Sequence, residues 1–209
     1  MWSWPVLAVA ALVVSGFAFI GTSNADTPRV VILAPSSAHL QLSMSASLPA
    51  TRRSAPVRLV IPAIHVATSV GQLGLQPDGE VMVPTTIHTV GWYIDGPSPG
   101  QEGSAVILGH VDSYQGVGVF FNLKNLKSGD LITVTSSDDV VTRFTVTKVV
   151  QYSKSAFPDR LVYGSHGTRS LQLVTCGGVF DHITGHYESN IVVFSQLVSV
   201  TPHKAVSTS

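Results

Sequence analysis

The string LQLVTCGG carries the chain's one cysteine, Cys176, out of an apolar run and directly into a glycine pair. The string AVILGH does the same for His110. A side chain at the end of a strand is held by a rigid scaffold yet opens onto a rim where a cleft can form. A thiol and an imidazole placed in this way suit nucleophilic catalysis, with the histidine moving the proton that the cysteine gives up. Ordinary values, about 8.5 for the thiol and about 6.5 for the imidazole, make that transfer unfavourable by about two units, so on the order of 1% of an unperturbed pair is thiolate and imidazolium. A positive neighbour or inward-turned backbone N–H groups raise the fraction. Gly177-Gly178 is expected to form such a turn, because glycine takes the backbone angles of an anion nest without penalty. The same N–H groups would serve an oxyanion developing on an attacked carbonyl. Taken singly, Cys176 reads equally well as a small buried hydrophobe, and His110 reads as a structural histidine.

The other chemistry-bearing strings are weaker. His182 and His186 are spaced i, i+4, but in a glycine-containing stretch without an H-E-x-x-H pattern. They are too few for a structural zinc site, so no metal is expected there. Neither GQLG nor GVGVF fits a phosphate-binding loop, no carboxylate cluster suggests calcium, and no cofactor is expected. SHGT at residues 165–168 shares part of the L,D-transpeptidase signature. In that family the cysteine follows the glycine directly, whereas Cys176 lies nine residues beyond Gly167, so the string reads as a plain loop.

The elements that must position Cys176 and His110 are strands. VRLVIPAIHV, DLITVTS, TRFTVTKVVQY, RSLQLVTC and SNIVVFSQLV are rich in β-branched and apolar residues. Pro62 limits the first to an edge or a bend. Asp138-Asp139 marks a hairpin, and Pro77-Asp78-Gly79 a turn into a further strand. Phe120, Leu123 and Leu126 have helical spacing over one or two turns. The stretch GGVFDHITGHYE is expected to be a loop of about a dozen residues, a length often associated with function. The fold class is therefore mostly β, a single barrel or sandwich of about eight strands with one or two short helices.

Around this domain, expected over residues 57–198, the composition changes. Residues 1–25 are apolar, with no charge before Asp26, and are long enough to cross a bilayer or to act as a signal peptide cleaved after Ser23-Asn24-Ala25. Either role sends the domain to the outer face of the membrane. Residues 26–56, rich in Ser, Ala and Pro, read as a flexible linker, with RVVILA as a stray strand, and residues 199–209 as a disordered tail. With 12 basic and 12 acidic residues the chain has no basic footprint for nucleic acid and no polybasic membrane patch. Exported proteins usually pair their cysteines, so a single one points to an intermolecular bond or a working thiol.

The strings IPAI, GPSPGQEGSAVILGHVDS, VFFNLKNLKSGD and LVTCGGVFDHITGHYESNIVVF, in this order and spacing, resemble a bacterial sortase. The likeness is to the class F, or class E/F-like, enzymes of actinobacteria, and it runs from about residue 57 to 197. It implies an eight-stranded sortase β-barrel and cysteine transpeptidation of proteins that carry an LPXTG-like C-terminal sorting signal. Cys176 would attack the Thr carbonyl, and His110 would protonate the leaving Gly amine. An amine of a peptidoglycan precursor or a pilin would then resolve the thioacyl-enzyme. An N-terminal membrane anchor on an outward-facing enzyme is usual in such proteins. One departure stands out. Sortases carry a catalytic arginine near the start of the last strand, and HYESNIVV has none. Asn190 is the aligned position, and Arg169 and Arg143 are the arginines expected to be able to reach in from neighbouring strands. Strand parity sets Arg169 on the face opposite Cys176. The gap keeps open a catalytically silent, peptide-binding sortase-like domain, and an L,D-transpeptidase is a further alternative.

Overall fold

The computed structural model describes residues 48–202. The apolar segment at 1–25, the linker up to residue 47 with its RVVILA run, and residues 203–209 of the tail lie outside the described residues.

Strands β1 (Pro56–Ile61) and β2 (Val66–Leu73) form a hairpin. Between them Pro62 opens a 3-10 turn, and His65 ends it with φ 56°. Strand β3 (Val90–Tyr93) runs parallel to β2, and β4 (Gly103–Gly109) antiparallel to β3. Strands β5 (Asp112–Ser113) and β6 (Gly116–Val117) make a separate small ribbon. Strands β7 (Leu131–Ser136) and β8 (Val141–Ser153) form the hairpin expected at Asp138-Asp139. After helix α1 (Asp159–Tyr163), β9 (Arg169–Asp181) and β10 (His186–Thr201) complete the sheet. Eight strands close into a barrel in the order β1-β2-β3-β4-β9-β10-β8-β7. This is the mostly-β, eight-stranded architecture that the alternation and composition predict.

Parity along the central strands divides two apolar layers. Ala105, Ile107, Leu171, Leu173 and Val193 point into the barrel, where Leu59, Phe120, Leu123 and Phe144 fill the core. Val106, Val174, Val192 and Phe194 point outward, under Val162 of α1 and the rings of Tyr93, Phe157 and Tyr163. Strands covered on both faces have no polar side to show, which is why AVIL and IVVF read as unbroken apolar runs.

Three local expectations are corrected. The stretch from Gly177 to Glu188 is not a long loop. It continues β9 and β10, leaving only residues 182–185 to turn. Asp181 builds that turn by accepting from the Ile183 N–H and the Thr184 hydroxyl, at 2.8 and 2.9 Å. Pro77-Asp78-Gly79 does turn the chain, but it leads into a single bridge, Leu75 with Val81, rather than a strand. Phe120, Leu123 and Leu126 are all buried as their spacing predicts, but the helix there is a single 3-10 turn, Leu123–Asn125, with Phe120 before it and Leu126 at its end.

Both ends of the barrel reach further than the sequence indicated. Residues 48–55 are seated on it. Arg169 donates to the carbonyls of Leu48 and Pro49, Arg53 donates to those of Ile94 and Gly96, and the Arg53 guanidinium lies 5.2 Å from the centre of the Trp92 ring. Strand β10 carries on to Thr201 because Ser199, Val200 and Thr201 still pair with β8.

Candidate active site

Strands β4 and β9 run parallel with a constant offset of 66 residues, from Gly103 beside Arg169 to Leu108 beside Val174. The same 66 positions separate His110 and Cys176. His110 follows the last residue of β4, two positions past the last pair, and Cys176 lies two positions past the same pair on β9. His110 and Leu108 share a face, as do Cys176 and Val174, and that face is the outer one. All four line one open cleft of about 890 Å³. Its walls are the 75–84 segment, with Leu75, Val81, Val83 and Pro84, and the α1 region, with Phe157, Asp159 and Tyr163. Both His110 and Cys176 are half-buried.

His110 Nε2 lies 2.7 Å from the Pro84 carbonyl oxygen. A carbonyl only accepts, so Nε2 carries the proton and donates it there. Nδ1 is then the nitrogen left to take or return a proton.

Burial pushes the Cys176 thiol up from its ordinary value. Lys154 opposes that rise, and Asp112 adds to it. Asp112 accepts a 2.6 Å hydrogen bond from the Tyr187 hydroxyl. That bond, followed by burial, pushes Tyr187 up to about 12. It also ties the β5–β6 ribbon, which follows His110, to the β9–β10 hairpin, which carries Cys176.

Gly177 and Gly178 stand inside β9 rather than in a turn, which corrects the expectation for them. Gly178 has φ +81° and sits at a bulge, where two residues of β9, Gly178 and Val179, oppose one of β10. Such bulges take a glycine in the left-handed region. Gly177 packs so closely under Ile191 that a Cβ there would come within 2.7 Å of its Cγ1.

Asn190 pairs directly with Cys176 across β9 and β10 and lines the cleft, so it shares the sulfur's face. Arg169 and Arg143 are not brought to the site. Arg169 is seven strand residues from Cys176, ~23 Å, and is engaged by Leu48 and Pro49. Arg143 is nine residues along β8 from Tyr152, the neighbour of Asn190, or ~30 Å, and donates to the Thr201 hydroxyl at 3.4 Å. Lys154 and His186 line the cleft, and Asp112 and Tyr187 stand close to the sulfur. Lys154 lies in no motif, and the other three fall in strings quoted above without a role at the cysteine being given to them. Only the strand register, which local patterns do not encode, would have found them. His182 packs edge-on against Phe180, with ring centres 5.1 Å apart. Residues 165–168 lie in the connection from α1 to β9.

The comparisons agree with this geometry. A family model described as "Sortase domain" matches residues 59–198. Among solved structures, sortase C-1 from Actinomyces oris is similar at 22% identity and a TM-score of 0.52, over 68% of this chain and 74% of that one. Sortase A from Listeria monocytogenes is similar at 15% identity and a TM-score of 0.54, over 73% and 92%. Sortase A from Corynebacterium diphtheriae is similar at 19% identity and a TM-score of 0.52, over 74% and 65%. These structural likenesses show the fold. No match is found among curated proteins. With a cysteine and a histidine lining one cleft of an eight-stranded barrel, and the family match spanning most of the sequence, the chain belongs to the sortase family.

Proposed function

We propose that this sortase is a cysteine transpeptidase of the class F type, acting on exported proteins with an LPXTG-like sorting signal. The observation that supports the reading is that His110, just past the end of β4, and Cys176, on the parallel β9, line one open cleft. The peptide lies along the cleft with its apolar residues against Leu75, Val83 and Tyr163. The Cys176 sulfur attacks the Thr carbonyl, and its proton passes to Nδ1 of His110. The C–N bond breaks, His110 returns the proton to the departing Gly amine, and a thioester remains on Cys176. An amine of a peptidoglycan precursor or a pilin attacks that thioester, frees the thiol and forms a new amide. Asn190 is the side chain closest in register to the sulfur and serves as a neutral hydrogen-bond donor to the oxyanion or the peptide. The 1–25 segment anchors the enzyme to the membrane, with its domain on the outer face. Incubating the full-length protein in detergent with an LPXTG-type peptide and an amine tests the reading. Release of the Gly-terminated fragment and formation of the amine adduct support it, whereas an intact peptide contradicts it.

One observation favours a second reading. Among the described residues no arginine lines the cleft. A silent, peptide-binding domain predicts that the peptide protects Cys176 from alkylation without being cleaved.

A further inference from the structure

Among the described residues the Cys176 cleft holds a single lysine or arginine, Lys154. The sheet explains its place. Tyr152, Asn190 and Cys176 stand in one row across β8, β10 and β9. Ser153 remains extended, with φ −60° and ψ 140°, so Lys154 keeps the parity of Tyr152 and of the sulfur. It opens the 3-10 turn Lys154–Ala156 beside the start of β10, and its side chain is exposed. Four other basic side chains are engaged elsewhere. Arg53, Arg143 and Arg169 hold oxygens on other parts of the barrel, and the Lys148 ammonium lies 4.5 Å from the centre of the Phe194 ring.

We infer that Lys154 is the cation of the Cys176 site, a fixed positive charge set across β10 from the sulfur that favours the thiolate and the anion formed on attack. The inference rests on Cys176 being the nucleophile of the proposed reaction. It deepens that reading by naming a residue no motif marks. A positive neighbour favours the reactive thiolate, and Lys154 acts by field rather than by contact with the reacting atoms, which makes it a positioning residue. The direction of its effect on the thiol agrees, since it opposes the rise caused by burial. The other groups facing the sulfur are His110 from the end of β4, Asp112 of β5 with Tyr187 bonded to it, and His186 at the start of β10. Glu80 and Asp159 also line the cleft. With three carboxylates in this set and one lysine, removal of Lys154 leaves no fixed cation there.

The test is the pH profile of Cys176 alkylation by iodoacetamide, a neutral reagent, in the full-length protein in detergent. Lys154→Gln is expected to slow alkylation at neutral pH about threefold or more and to move the profile to higher pH, as expected for losing a unit charge in a partly screened site. Lys154→Glu moves it further, and Lys154→Arg restores the parent profile. The gap between parent and Lys154→Gln narrows in high salt, because the charge is exposed. Peptide cleavage tracks the same order. Gln and Glu variants that alkylate like a parent which itself cleaves the peptide overturn the role of Lys154 and leave the transpeptidase reading standing. A Lys154 series that shifts alkylation while the parent cleaves no peptide supports the charge role and overturns the transpeptidase reading.

Discussion

At the scale of residues, the chemistry rests on a thiol that burial holds protonated and on a histidine whose Nε2 is already committed to Pro84. Cys176→Ala is expected to abolish peptide cleavage and His110→Ala to come close to doing so, as measured by release of the Gly-terminated fragment. Asn190→Ala should lower kcat/KM by ~10²-fold, the usual loss for an oxyanion donor. Arg143→Ala and Arg169→Ala should leave kcat/KM at the parent value, because both guanidiniums are tied far from the cleft. The pH dependence has a definite sign. A raised thiol is protonated over more of the pH range, so alkylation of Cys176 should climb at higher pH than for a free cysteine. Asp112 contributes to the rise, so Asp112→Asn should move the profile to lower pH. The sequence showed the two central residues because each ends an apolar run. It assigned no role to Lys154, Asp112 or Tyr187, whose relation to the sulfur exists only once the strands and the β5–β6 ribbon are assembled.

At the scale of elements, the β9–β10 hairpin decides where the sulfur points. A strand's side chains alternate between faces, so a slip of one residue would turn Cys176 into the barrel. The bulge at Gly178 absorbs the extra residue beyond the paired row of Cys176 and Asn190 and leaves that row in place. Gly178→Ala forces a side chain into a left-handed conformation, at a cost of about 1–2 kcal/mol, and brings its Cβ within 2.8 Å of the Ser189 hydroxyl oxygen. Thermal unfolding should show a lower Tm for this variant. Tyr187→Phe removes the bond between the two hairpins, and backbone amide exchange should then speed up in the β5–β6 ribbon while the barrel strands stay protected. The hairpin's length was misread from sequence because Gly177, Gly178 and Gly185 imitate a loop. Two of the three instead serve a close contact and a bulge within a strand.

At the scale of the whole molecule, one closed barrel supports the site through the parallel pair β4 and β9. Leu173, fully buried, pairs with Ile107 in that contact. Leu173→Ala should cost about 2–5 kcal/mol, the usual range for an emptied leucine site, and lower the midpoint of urea unfolding. The barrel class was legible because strands alternate and glycines punctuate them. Its closure order was not, since pairs such as β1 with β7 and β4 with β9 join segments far apart in sequence. The seating of residues 48–55 was equally hidden, because Arg53 and Arg169 hold backbone carbonyls, which any sequence offers. The central claim is that a sulfur and an imidazole aligned by this barrel act together on a peptide carbonyl. Mass spectrometry of the full-length protein mixed with an LPXTG-type peptide tests it most directly. The account predicts an acyl adduct on Cys176 that disappears when an amine is added and that Cys176→Ala never forms. Cleavage that persists in Cys176→Ala, or fragment release from the parent with the acyl group on any residue other than Cys176, would contradict it.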